Sequence, residues 1–181
     1  MLAILAALLL APSPVTAVAD DLDIAGQVAK GKVLCTNPDV ASRTCTTIDR
    51  QAPAGPGRFT DTGEVLIPAA KAITLETRSA MTLEGANQLC GQIRREDLLQ
   101  GTLRVEGVAL EPEPNAAALA HLAQTIFAQL DGRRVCETLG HDKAGRLVKI
   151  DTMEGFDGNV PPRPVQWIAP DAGYTVAPHD R

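Results

Sequence analysis

Aromatic side chains are scarce in this chain of 181 residues: only Phe59, Phe127, Phe156, Trp167 and Tyr174 carry a ring of that kind. That supply is thin for the flat apolar platforms on which sugars are usually held. Serine is rarer still. Beyond residue 17 only Ser42 and Ser79 remain, and neither stands in G-x-S-x-G or S-x-x-K. Serine-nucleophile chemistry therefore lacks its motifs. No C-x-x-C is present, which removes the thioredoxin-type redox site. No Gly-rich stretch fits a phosphate cradle, so no nucleotide cofactor is expected. Positive charge is outnumbered, with 17 Lys and Arg against 22 Asp and Glu, a net charge of −5. A nucleic-acid partner is not expected, because phosphate binding needs the opposite sign. After residue 17 no apolar run approaches the roughly 20 residues of a membrane-spanning helix.

What is present begins with an address. Residues 1–17, MLAILAALLLAPSPVTA, hold an uncharged apolar run from Met1 to Ala11, too short to cross a bilayer. Pro12 and Pro14 break it, and Val15-Thr16-Ala17 puts small residues where a signal peptidase needs them. The segment reads as a signal peptide cut after Ala17, or after Ala19 two residues on. It lacks a basic start, since no Lys or Arg precedes Lys30. Residues 18–181 are then expected to form a single soluble domain, periplasmic or secreted, with a Pro/Gly-rich C-terminal segment. Arg outnumbers Lys, and Ala is abundant, a bias common in GC-rich bacteria.

Export leads to an oxidising compartment, and the four cysteines all lie in the exported part. Four cysteines allow three pairings. The spacing favours Cys35–Cys45, closing a turn-rich loop, and Cys90–Cys136, expected to clamp the helical region to the sheet. Cys90 and Cys136 have no close cysteine neighbours, so a zinc site is not expected.

Periodicity gives most of the elements. Asp20–Asp23 reads as a frayed acidic lead. Lys32–Cys35 and Thr44–Ile48 read as short strands, 50–58 as a Pro/Gly loop, and Thr60–Gly63 as a turn. Alternation marks strands at Ile73–Thr77 and Met81–Glu84. A short helix is expected at Arg95 to Gln100. Thr102–Val105 and Val108–Glu111 form a hairpin about Glu106-Gly107, with 105 opposite 108 and 103 opposite 110. The Glu-Pro-Glu-Pro run at 111–114 reads as helix-excluding, and Asn115 as the cap of a helix over 115–130. Leu119, Leu122, Ala123, Ile126, Phe127 and Leu130 make its apolar stripe, with His121 on the opposite face. A second hairpin joins Arg134–Leu139 to Arg146–Asp151 through a turn at Asp142–Gly145. Pro164–Ile168 is a last strand, followed by a tail. Strands on both sides of one good helix give an α+β class: a mostly antiparallel sheet with one long amphipathic helix packed on it.

The catalytic inventory is poor. His121 faces solvent, His179 is third from the C-terminus, and His141 stands at a hairpin tip. Asp151, Glu154 and Asp157, with Asn159 after them, form the densest acidic group, but not at calcium-loop spacing. No metal and no cofactor are expected. Arg133-Arg134 is explained by the helix C-terminus before it. The leading expectation is a disulfide-bonded binding or accessory module of the cell envelope, acting on a protein or small-molecule partner rather than by catalysis. The alternative is a hydrolase using carboxylates near Asp151 or His141. A pocket joining His141 to Asp151 or Glu154 would favour the enzyme, and a flat apolar patch around Trp167 the binding module.

Overall fold

The computed structural model describes residues 20–125, 127–158 and 160–178. The segment read as a signal peptide, Ile126, Asn159 and His179 lie outside the described residues.

The chain folds around a closed, mostly-β barrel. Its strands are β1 (Val33–Thr36), β2 (Thr44–Cys45), β3 (Thr47–Pro53), β4 (Arg58–Ile67), β5 (Ile73–Leu83), β6 (Gln88–Gln92), β7 (Thr102–Val105), β8 (Val108–Ala109), β9 (Arg134–His141), β10 (Leu147–Met153), β11 (Arg163–Ile168) and β12 (Thr175–Val176). The helices are α1 (Ile24–Ala29), α2 (Arg95–Leu99) and α3 (Pro112–Thr125). Eight strands form the ring in the order β1, β3, β4, β5, β6, β9, β10, β11, every neighbour antiparallel, and β11 pairs back onto β1. Apart from β2 between β1 and β3, the α2–β7–β8–α3 insertion between β6 and β9, and the closing β11–β1 pair, neighbours in the ring are neighbours in the sequence. Closure leaves the ring without open edges. The antiparallel pairing, the long helix and the short second helix agree with the sequence reading. The α+β layer does not: the sheet curls shut on itself instead of lying open under a helix. Closure depends on twist and strand stagger, which local periodicity does not encode.

Alternation sorts the side chains. On β9, Val135, Glu137 and Leu139 point into the barrel while Arg134, Cys136 and Thr138 point out. The outer faces of β3, β4 and β5 carry Arg50, Thr60, Thr62, Glu64, Glu76 and Arg78, unlike the apolar girdle of a lipid-facing barrel. Among the described residues no helix is long and apolar enough to cross a membrane.

One end of the barrel is plugged by α1. Ile24 and Val28 pack against Leu34, Phe59, Met81, Leu89, Leu139 and Val165. The acidic lead is not frayed. Asp20–Leu22 makes a 3-10 turn, and Asp23 caps α1 by accepting from the Gly26 N–H at 3.1 Å. Trp167 Nε1 donates to the Asp21 carbonyl at 2.9 Å, which turns the indole inward, where it packs on the core.

The insertion packs at the other end. α3 starts at Pro112, so the Glu-Pro-Glu-Pro run opens the helix instead of excluding it. Proline fits the first turn, where N–H groups have no intrahelical partner. Asn115 is therefore not the cap. Its side chain accepts from Leu103 N–H at 2.8 Å and donates to the Gly101 carbonyl at 3.1 Å, tying α3 to β7. Leu119 and Ala123 are buried against Leu75, Leu98 and Leu103, and His121 is exposed as expected. In the β7–β8 hairpin Val105 faces Val108, and Leu110 N–H donates to Leu103 carbonyl. Glu106 and Gly107 take φ of 52° and 81°, the left-handed pair that a two-residue turn requires.

Both expected disulfides are present, Cys35–Cys45 and Cys90–Cys136, and they mark an oxidising compartment. The second does not clamp a helix. Cys90 on β6 lies directly opposite Cys136 on β9, so the bridge staples neighbouring staves. The C-terminal segment is more than a tail, because β12 pairs in parallel with β2 while Tyr174 and Val176 cover the first disulfide.

Candidate functional site

The middle of the barrel is charged. Lys149 on β10 is only 1% exposed and has two carboxylate partners: Asp49 of β3 at 3.1 Å, across the interior, and Glu137 of β9 at 2.8 Å. Asp61 of β4 accepts from Gln51 Nε2 at 2.9 Å beside them. Thr60–Gly63, expected as a turn, runs straight within β4. Gly63 is there because its missing side chain makes room: a Cβ would lie 3.2 Å from Asp49 Oδ1 and 3.5 Å from Asp61 Oδ2.

Burial alone would pull the Lys149 ammonium down, but Asp49 and Glu137 more than reverse this and keep it charged. Burial raises Asp49, with Lys149 opposing it. Asp61 is pushed well above its ordinary value of 3.8, by burial first and then by the like charges of Asp49 and Glu137. The folded state therefore holds a proton on Asp61 that the unfolded chain gives up near pH 3.8. The stability carried by that proton is full below this pH and is lost as pH rises through the folded value. Asp61→Asn keeps the uncharged shape and the Gln51 bond. Its melting temperature is expected to exceed that of the wild type at pH 7, with the gap closing toward pH 4, in a thermal unfolding series. A variant less stable than the wild type at pH 7 would contradict the assignment.

The barrel opens at the end opposite α1. A cavity of about 450 Å³ lies there, with apolar walls from Val135, Met153, Phe156 and Val160 and the Asp151–Arg163 ion pair among its lining residues. Asp151 sits on β10 and Arg163 on β11, both pointing inward. Phe156 belongs to the loop after β10. Arg133, just before β9, donates to the Gln129, Glu154 and Gly155 carbonyls and so fixes that loop. Gly158 lets the Phe156 ring lie against the backbone, because a Cβ there would come within 2.3 Å of the ring.

His141 and Asp151 are not brought together. His141 Nε2 bonds Asp21 at 2.8 Å at the plugged end, whereas Asp151 faces the mouth. Four residues of β10 separate their registers, roughly 13 Å of strand. Glu154 and Asp157 are exposed in the mouth loop. Among the described residues no trio of His, Cys, Asp or Glu is arranged to hold a metal ion. Sequence reasoning missed Asp49, Asp61, Glu137, Lys149, Phe156 and Arg163. Lys149 carried no signal: between Val148 and Ile150 in an alternating strand a lysine reads as the outward phase, and only the structure turns it inward and leaves Ile150 exposed. No family model, no curated protein and no solved structure matches the chain.

Proposed function

We propose that the protein is an exported binding module, periplasmic or secreted, that takes a small, largely apolar ligand at the mouth of its barrel. The carrying observation is the cavity of about 450 Å³ with apolar walls over the open end. Its size falls within the range of about 300–1,000 Å³ typical of small-molecule sites. An eight-stranded barrel is just wide enough either to be filled by side chains or to hold one small ligand. Here charged residues and α1 fill the interior, which leaves the mouth as the place for a guest. The disulfides and the apolar leader support export.

1-Octanol is a suitable probe. Calorimetric titration is expected to show saturable binding that Phe156→Ala weakens about tenfold, the loss of one aromatic wall. Trp167→Phe, at the plugged end, is expected to leave the affinity unchanged. Equal affinity in wild type and Phe156→Ala would move the site elsewhere.

A further inference from the structure

We infer that the Cys90–Cys136 disulfide is a thiol–disulfide exchange site, entered by small-molecule thiols at Cys136 from the β10 side. The chemistry is separate from ligand binding at the mouth.

The two disulfides are covered unequally. Cys35 and Cys45 are both 0% exposed, with Tyr174 and Val176 packed over them. Cys90 and Cys136 lie on the outer face of the barrel and keep 3% and 6% of their surface. Register sets them in one row across four strands: Thr82 of β5, Cys90 of β6, Cys136 of β9 and Thr152 of β10. The S–S bond joins the middle pair. An incoming thiolate attacks one sulfur from the side away from the other, so each line of attack comes from an end of the row. Both ends are open. A surface depression of about 330 Å³ is lined by Thr82 and Cys90, and one of about 430 Å³ by Cys136 and Thr152. Both threonines are exposed.

The Cys136 end is the better entrance, because its depression is the larger and its cysteine the more exposed. Arg134 pairs with Glu84 and Arg94 with Glu96, so charge near the disulfide is largely offset. Size therefore selects the thiol, and not its charge.

The exchange balances without a further reactant. The thiolate sulfur bonds to Cys136 Sγ, and the S–S bond breaks. Its electron pair leaves on Cys90 Sγ, which takes a proton from water. A second thiolate then attacks the external sulfur of the mixed disulfide and releases Cys136 as a thiol. Two small thiols are oxidised to their disulfide, and the protein disulfide is reduced. This bridge closes the longer loop, so its earlier opening reflects access and not a smaller contribution to stability.

Reduced glutathione is the probe, with the folded protein at pH 8, iodoacetamide quenching at intervals, and peptide mapping by mass spectrometry. Cys90 and Cys136 are expected to react at least about tenfold faster than Cys35 and Cys45, with the first glutathione adduct on Cys136. The rate should not change in about 1 M urea, since attack on the folded state needs no unfolding. Thr152→Trp, which roofs the entrance, is expected to slow the reaction about tenfold, and Thr82→Trp to leave it unchanged. Cys35–Cys45 opening first would overturn the inference. So would both bridges opening together at a rate that climbs steeply with urea, or neither opening in the folded protein. A first adduct on Cys90, or slowing by Thr82→Trp alone, would overturn the entrance at Cys136.

Discussion

Lys149→Met is expected to lower the free energy of unfolding by about 3–5 kcal/mol, the usual result of removing one partner from a buried ion pair. The side chain is almost wholly enclosed, and its ammonium is the charge that Asp49 and Glu137 share. Without it two carboxylates remain close together inside the barrel, and at least one must take up a proton for the fold to persist. The penalty should therefore shrink as the pH is lowered. Methionine fills the volume, so the loss is electrostatic and not a cavity effect. Lys149→Met/Asp49→Leu removes the more deeply buried carboxylate together with the lysine, leaving only the part-exposed Glu137, and is expected to recover much of the loss. Urea unfolding of the three proteins at pH 7 reads this directly. Equal stability of wild type and Lys149→Met would mean that the interior is wetter than its burial indicates.

The two disulfides should differ in the same assay. On the chain-entropy model, a closed loop of 46 residues stabilises by about 4 kcal/mol and one of 10 by about 3 kcal/mol. Cys90→Ala/Cys136→Ala is thus expected to be the more damaging pair. It also opens the junction between β6 and β9, where the insertion leaves and rejoins the ring. Cys35→Ala/Cys45→Ala loosens only the outer layer formed by β2, β12 and Tyr174. The reverse order would show that the outer layer carries more of the stability than loop closure assigns to it.

The hairpins were legible because their turn residues and their alternation agree. Glu106-Gly107 and Asp142–Gly145 fix register locally, and both hairpins form as read. Cysteine pairing was legible from spacing. The barrel was not, since β11 and β1 pair across the length of the chain, Val33 with Ile168 and Thr36 with Val165, and neither strand advertises its partner. The start of α3 was misread because two prolines look like breakers until their place in the first turn is known. Thr60–Gly63 was misread because a glycine within a strand resembles a turn when the facing carboxylates are invisible. The charged interior was hidden for a related reason. Asp49 falls just past the expected Thr44–Ile48 strand, Asp61 within the expected turn and Glu137 at a polar position of its strand, and only closure of the ring turns them inward. Asp151 was noticed, but its sequence neighbours Glu154 and Asp157 are not its functional neighbours. Arg163, from the next strand, is.

The central claim is that the open end of the barrel holds a ligand, and a titration of ¹⁵N-labelled protein with 1-octanol followed by NMR tests it most directly. The expected result is concentration-dependent shifts at the amides of Val135, Thr152, Met153, Phe156 and Val160, with α1 unmoved. Shifts centred on Ile24–Ala29 or on β12, or no saturable shift at all, would contradict it.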